Sequence, residues 1–222
     1  NRFDIVDETF DISRQLALGK ELKKRGHEAT WSCYLTITPN LTDPDLCTKL
    51  FDAGCRNVQL GLESLSSATL DREHKRWNKP DLYSSILRNL KGAGIQTHIF
   101  ILLGLPGEPL SEGLHWLPWI EDNAENILTI KSSRYRLTRG SPEETETNPG
   151  IKQNENNAPL HLNRSFTYTE TSTKKVEALR DIVEQSCRSH WAYEVTSTLP
   201  WWANRGPYSW SELHQMAKEL SQ

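Results

Sequence analysis

The β-rich runs of this chain alternate apolar and polar residues, and they are separated by helix-like stretches. Within residues 56–63, Val58, Leu60 and Leu62 share one face, while Asn57, Gln59, Gly61 and Glu63 share the other, because successive strand side chains point to opposite sides. The same pattern recurs in 95–103, where Ile95, Ile99, Ile101 and Leu103 oppose Gln96, His98, Phe100 and Leu102. In 29–37, Trp31, Cys33, Leu35 and Ile37 oppose Thr30, Ser32, Tyr34 and Thr36. Parallel strands covered by helices on both faces read as continuous apolar runs. These runs do not, so one face is expected to pack on helices and the other to hold something polar, as in a barrel or half-barrel. An antiparallel sheet with one wet face alternates as well, but the helices between these runs argue against hairpins.

Strands are predicted at residues 2–7, 29–37, 56–63, 95–103 and 126–137, with helices at 13–24, 44–53, 81–91 and 110–123. That order is a βα array. Local punctuation agrees: Thr42-Asp43-Pro44-Asp45 offers a cap, a first-turn proline and an early carboxylate, and Pro80 opens the next long helix. Gly26, Gly54 and Gly94 each close a helix just before a strand. The expected fold class is α/β, a partial TIM-like (βα) barrel of parallel strands with a helical, Trp-rich extension at the carboxyl end. Residues 1–139 are assigned to the barrel, 140–165 to a loop excursion rich in Glu, Thr, Asn and Pro, and 166–222 to the extension. In the extension a helix is expected at 173–188 and a second one opened by Ser209 and Glu212, and the aromatics Trp191, Tyr193, Trp201, Trp202, Tyr208 and Trp210 are expected to cover core.

Length and charge narrow the function classes. At 222 residues the chain can bury a real core, and its net charge of −3 creates no basic field for nucleic acid or membrane. No stretch approaches the roughly 18 apolar residues of a membrane span, and the first residues do not read as a signal peptide, so a cytoplasmic location is expected. The sequons at Asn40 and Asn163 are expected to be chance matches. Four cysteines, Cys33, Cys47, Cys55 and Cys187, show neither disulfide nor zinc-finger spacing, and seven histidines form no ligand motif. No protein-built metal site is expected.

Three strand ends carry the candidate chemistry: Asp7-Glu8, Gly61-Leu62-Glu63-Ser64 and Gly104-Leu105-Pro106-Gly107-Glu108. In a parallel array all three come to the carboxyl rim, where such folds hold ligands. The carboxylates can accept hydrogen bonds from hydroxyls or an ammonium group, and the glycine turn can bring backbone amides close to a ligand. On the polar face, His98 and Tyr34 are candidates for a substrate pocket. No catalytic residue is identified.

These strings resemble the radical SAM superfamily, especially the branch that often has an upstream cobalamin-binding domain. Ile5-Val6-Asp7-Glu8-Thr9-Phe10 resembles its second strand, Ala53 through Ser64 its fourth, and Ala93-Gly94-Ile95 through Glu108 its fifth. The resemblance covers about residues 1–140. It implies cofactor contacts at Asp7 or Glu8 for the amino group of S-adenosylmethionine, at Glu63 and Ser64 for ribose or carboxylate, and at Leu103, Gly104 and Leu105 for adenine. It further implies a [4Fe-4S] cluster, a reductant protein that supplies the electron, and a 5′-deoxyadenosyl radical or methyl transfer through cobalamin. The substrate, small molecule or peptide, is not indicated.

The family's Cys-x-x-x-Cys-x-x-Cys loop and first strand are absent from these residues. Two expectations follow. In one, the chain is the carboxyl-terminal part of a larger enzyme, which a start without Met favours. In the other, it is a degenerate barrel that acts as a binding or interaction module. Under either, the chain alone should not cleave S-adenosylmethionine, and an opened barrel edge should favour aggregation.

Overall fold

Five strands form one parallel sheet in the order β1-β2-β3-β4-β5: β1 Arg2–Ile5, β2 Thr30–Tyr34, β3 Cys55–Glu63, β4 Gln96–Leu103 and β5 Thr129–Arg134. A computed structural model supplies the coordinates, and it describes residues 1–141, 144, 150–154, 162–169, 171–190 and 208–222, with the side chains of 187–190 not described. Sequence-adjacent strands are neighbours throughout, so the helices between them serve as crossovers: α1 Ile12–Lys24, α2 Pro44–Ala53, α3 Ser67–Arg72, α4 Pro80–Gly92, α5 Leu110–Leu114 and α6 Trp116–Asn123. The carboxyl part adds α7 Thr173–His190 and α8 Trp210–Ser221, together with two small antiparallel pairs. These pair β6 Leu137–Thr138 with β8 Asn163–Arg164, and β7 Ile151–Gln153 with β9 Phe166–Tyr168.

Register explains the face alternation. Cys33, Val58 and Thr97 lie side by side, and so do Tyr34, Gln59 and His98. Cys33, Cys55, Val58, Leu60, Leu62, Ile99, Ile101 and Leu103 are all buried, as the apolar face requires. Helices α2 and α4 add Cys47, Leu50, Tyr83, Ile86, Leu87 and Leu90 to the buried set. At roughly 1.5–3 kcal/mol for each large side chain buried, this face dominates the stability of the sheet.

Several boundaries differ from the sequence reading for identifiable reasons. Strand β1 ends at Ile5, so Asp7 and Glu8 stand in the bend beyond it. The helix expected over 110–123 breaks at His115, just ahead of Pro118, which has no N–H to return to Leu114. Helix α3, capped by Ser66 accepting from the Thr69 amide, was not expected; six residues are too few to show a period. Asp11 caps α1, Asp43 caps α2, and Ser209 with Glu212 forms a full capping box on α8.

The chain gathers into two compact units, one from residues 1–63, 74–101 and 122–131, the other from 64–73, 102–121 and 132–222. In the second unit Leu105, Tyr135, Leu137 and Ile151 form a core with Phe166 and Tyr168 against it. A further cluster there joins Leu117, Ile182, Leu213 and Ala217, covered by Tyr208 and Trp210. Trp191, Tyr193, Trp201 and Trp202 lie outside the described residues, as does much of 140–165. Among the described residues no helix is long and apolar enough to cross a membrane.

Candidate functional site

In the first unit, the segment after β1 is pinned to the end of β2. The Phe10 amide donates to the Tyr34 carbonyl (2.8 Å), and the Thr9 and Thr36 hydroxyls meet at 2.9 Å. Phe10 is buried edge-on against Trp31, whose indole N–H donates to Gln15. Between β1 and this anchor, Asp7 and Glu8 project as exposed carboxylates.

Glu63 ends β3 in an unusual backbone state. Its φ is +66°, a left-handed conformation that costs a non-glycine residue about 1–2 kcal/mol, and the register with β4 shifts between Gly61 and Glu63. The carboxylate folds back over Gly61: a Cβ placed there would meet Glu63 Oε1 at 2.6 Å. Lys75 Nζ donates to the same oxygen at 2.7 Å. Around it, Asn78 Nδ2 donates to the Gly61 and Leu62 carbonyls (2.9 and 3.0 Å), and the Tyr83 hydroxyl donates to Leu62 (2.8 Å). Burial pushes the Tyr83 phenol up, so it remains a donor. Strain held in place by such surroundings is found where geometry serves a function.

The polar face of this unit carries the two predicted pocket residues. Exposed Tyr34 stacks on Phe100 with ring centres 6.1 Å apart, and His98 meets Phe100 edge-on at 4.7 Å. Gly61, level with Phe100, adds no side chain there. His98 Nδ1 is hydrogen-bonded to Thr129 Oγ1. Burial and then the Lys131 ammonium hold His98 below the usual imidazole range, so a neutral ring faces this side.

In the second unit, Ser64 is fully buried and donates to Glu108 Oε1 at 2.5 Å. Leu103 and Leu105 are buried; the Leu103 carbonyl accepts from Tyr135 N and the Leu105 carbonyl from Glu108 N, both at 3.0 Å. Gly104 has φ +71°, and a Cβ there would lie 2.6 Å from Val176 and 2.7 Å from the Tyr168 hydroxyl, which itself donates to Gly104 O at 2.9 Å. The glycine is thus required by protein packing within its own unit. Burial pushes the Glu108 carboxyl up to about 7, partly opposed by the Ser64 hydrogen bond. Glu108, Lys75, Asn78 and Phe100 were not picked out as site residues. Phe100 and Glu108 lie within the 93–108 string, whereas Lys75 and Asn78 lie outside the family-like strings, and the burial of Glu108 is a tertiary fact.

These groups differ in how well they suit the family's two cofactors. Asp7, Glu8 and Glu63 offer carboxylate oxygens, which accept hydrogen bonds from ammonium groups or hydroxyls. The three cysteines whose side chains are described do not suit a cluster. Cys33 and Cys55 are buried with their thiols hydrogen-bonded to each other, which, with burial, holds the Cys55 thiol in its protonated form. Cys47 donates to the Leu41 carbonyl at 3.6 Å, and burial pushes it up to about 11. Iron–sulfur ligation needs converging thiolates, and among the described residues no group of three His, Cys, Asp or Glu could hold a metal.

Residues 4–117, just over half of the chain, match the sequence family described as the radical SAM superfamily. The chain belongs to that superfamily, whose members use S-adenosylmethionine and a [4Fe-4S] cluster. It is 35% identical over 99 residues to the bacteriochlorophyllide d C-8(2)-methyltransferase of Chlorobaculum tepidum, across 42% of this chain and 21% of that protein. Among solved structures it is similar to the radical S-adenosylmethionine methyltransferase TsrM from Kitasatospora setae, solved with cobalamin and a [4Fe-4S] cluster bound. That match has a TM-score of 0.59 at 15% identity and covers 98% of this chain and 52% of TsrM, so the two share a fold. The chain spans about a fifth of the curated relative and about half of TsrM.

Proposed function

We propose that this chain carries the S-adenosylmethionine-holding strand ends of a radical SAM enzyme, and that the reaction of the whole enzyme is methyl transfer. The single observation that carries the reading is Glu63: a strained, left-handed carboxylate at the end of β3, on the polar face and beside a glycine. Methyl transfer is favoured over other radical chemistry because the curated relative and TsrM are both methyltransferases. When bound, S-adenosylmethionine supplies either a 5′-deoxyadenosyl radical or a methyl group. The residues of this chain bind and orient. Asp7 or Glu8 accepts from the ammonium group, Glu63 and Ser64 serve the ribose or carboxylate end, and the 103–105 segment serves the adenine. Tyr34 and His98 belong to the substrate's side of the polar face. In this reading residues 1–139 form the barrel part, 140–165 an excursion and 166–222 an extension. The cluster thiolates, the reductant's docking site and any cobalamin contacts are not assigned to these residues, and the 222-residue chain alone is expected to be inactive.

Calorimetric titration with S-adenosylmethionine tests the reading. The chain should bind, and Glu63→Ala should weaken binding by about tenfold or more, the loss expected for a hydrogen bond to a charged group. Unchanged affinity in Glu63→Ala would remove Glu63 from the site. The burial of Cys33, Cys47 and Cys55 favours a second reading, a barrel that serves only as a binding or interaction module. Absence of any S-adenosylmethionine binding would leave that one standing.

A further inference from the structure

Ser64 has no free hydroxyl proton to offer a ligand. Its Oγ donates to Glu108 at 2.5 Å and accepts from the Ser66 amide at 3.0 Å, and both Ser64 and Glu108 are buried, at 0% and 7% exposure. A second bond joins the same two segments, because Arg72 Nη2 donates to the Gly107 carbonyl at 2.8 Å and to Thr69 Oγ1 at 3.1 Å. The 104–108 turn is also closed from its other sides. Its own Glu108 amide bonds to Leu105 O (3.0 Å), Tyr168 holds Gly104 O, and the backbone of Gly150 lies against that of Gly107.

We infer that Glu108 is a positioning residue: through Ser64 it locks the segment that follows β3 to the turn that follows β4, so that two groups of assigned cofactor contacts keep one geometry. The inference rests on the function proposed above for Ser64 and residues 103–105, and it changes the role of Ser64. The serine acts through the placement of its backbone, and its hydroxyl serves the latch.

The latch is sensitive to charge. In the closed latch Glu108 is buried, with its carboxyl pushed up to about 7 by that burial, so by linkage the protonated acid favours the closed latch and ionisation as pH rises through 7 favours opening it. The groups that face it are Arg72 from α3, Glu112 from α5 and Tyr168 from β9, whose phenol burial pushes up to about 12. Of these, Arg72 favours the ionised latch and Glu112 opposes it.

Two measurements on the whole chain test this. In the first, S-adenosylmethionine affinity is followed from pH 5.5 to 8.5 in wild type, Glu108→Gln and Ser64→Ala. Wild-type binding should weaken severalfold as pH rises through the Glu108 midpoint. Both variants should be weaker than wild type at low pH and flat across the range, and the double variant should be no worse than either single one. In the second, urea unfolding of the same four proteins at pH 6 reads the latch without the cofactor, and the two substitutions should be strongly non-additive. Additive effects in unfolding overturn the latch. Coupling in unfolding together with a wild-type pH profile retained in Glu108→Gln overturns the positioning role. If wild type binds no S-adenosylmethionine, the proposed function and the positioning role fail together, and the unfolding cycle alone decides whether the two segments are latched.

Discussion

Glu108 is a carboxylic acid that the fold keeps out of water. Its carboxyl, ordinarily near 4.5, is pushed up to about 7 chiefly by burial, so the folded chain holds a proton that the unfolded chain releases at lower pH. The stabilisation linked to that proton is therefore complete below pH 4.5 and is lost as pH rises through 7. At 1.36 kcal/mol per pH unit the full effect is about 3 kcal/mol. Glu108→Gln should remove it: between pH 5 and pH 8, urea denaturation should show wild type losing stability relative to the glutamine variant by up to about 3 kcal/mol. An equal pH slope in both proteins would show that the carboxyl titrates normally. Residue identity was legible in the sequence here, but residue environment was not. The Gly-Leu-Pro-Gly-Glu string announced a turn, yet nothing in it could show that the glutamate turns inward to Ser64, because the two are 44 positions apart. Glu63 differs in this respect. Its place on the polar face followed from counting along the strand, whereas its left-handed backbone came from a register shift that no single strand encodes.

Elements were read more reliably than residues, because period and punctuation are local. Helix α2 runs from Pro44 to Ala53 as expected, with Asp43 as its cap and Gly54 as its exit. That exit is tightly constrained. Gly54 has φ +131°, and a Cβ there would lie 2.5 Å from the Trp31 ring and 2.6 Å from the Ala29 carbonyl. Gly54→Ala should therefore combine backbone strain with overpacking and lower stability by about 3 kcal/mol, visible as a fall in Tm. Gly92→Ala is the control, since nothing lies within 4 Å of a Cβ at that position and its backbone is helical. What failed at this scale was short or interrupted structure: α3, the break before Pro118, and the two-residue pairings of β6 and β8. Their stability comes from tertiary partners, so a window of sequence carries little trace of them.

For the molecule as a whole, the parallel order of the sheet was legible, since each strand pairs with the strand next in sequence. The order begins at β1, which carries Phe3 at 54% exposure, with Val6 at 84% just beyond it. An apolar edge of this kind templates pairing with another copy. In light scattering the 222-residue chain should associate with rising concentration, and Val6→Lys together with Phe3→Lys should suppress that association without lowering Tm. A monodisperse double variant beside an associating parent confirms the edge; identical behaviour in the two assigns association to another surface. The two compact units carry a consequence of a different kind. Their segments interleave, with the backbone passing from one to the other after residues 63, 73, 101, 121 and 131. No single proteolytic cut can release either unit intact, and no single recombination breakpoint can graft one onto a foreign partner. The units must therefore be inherited together.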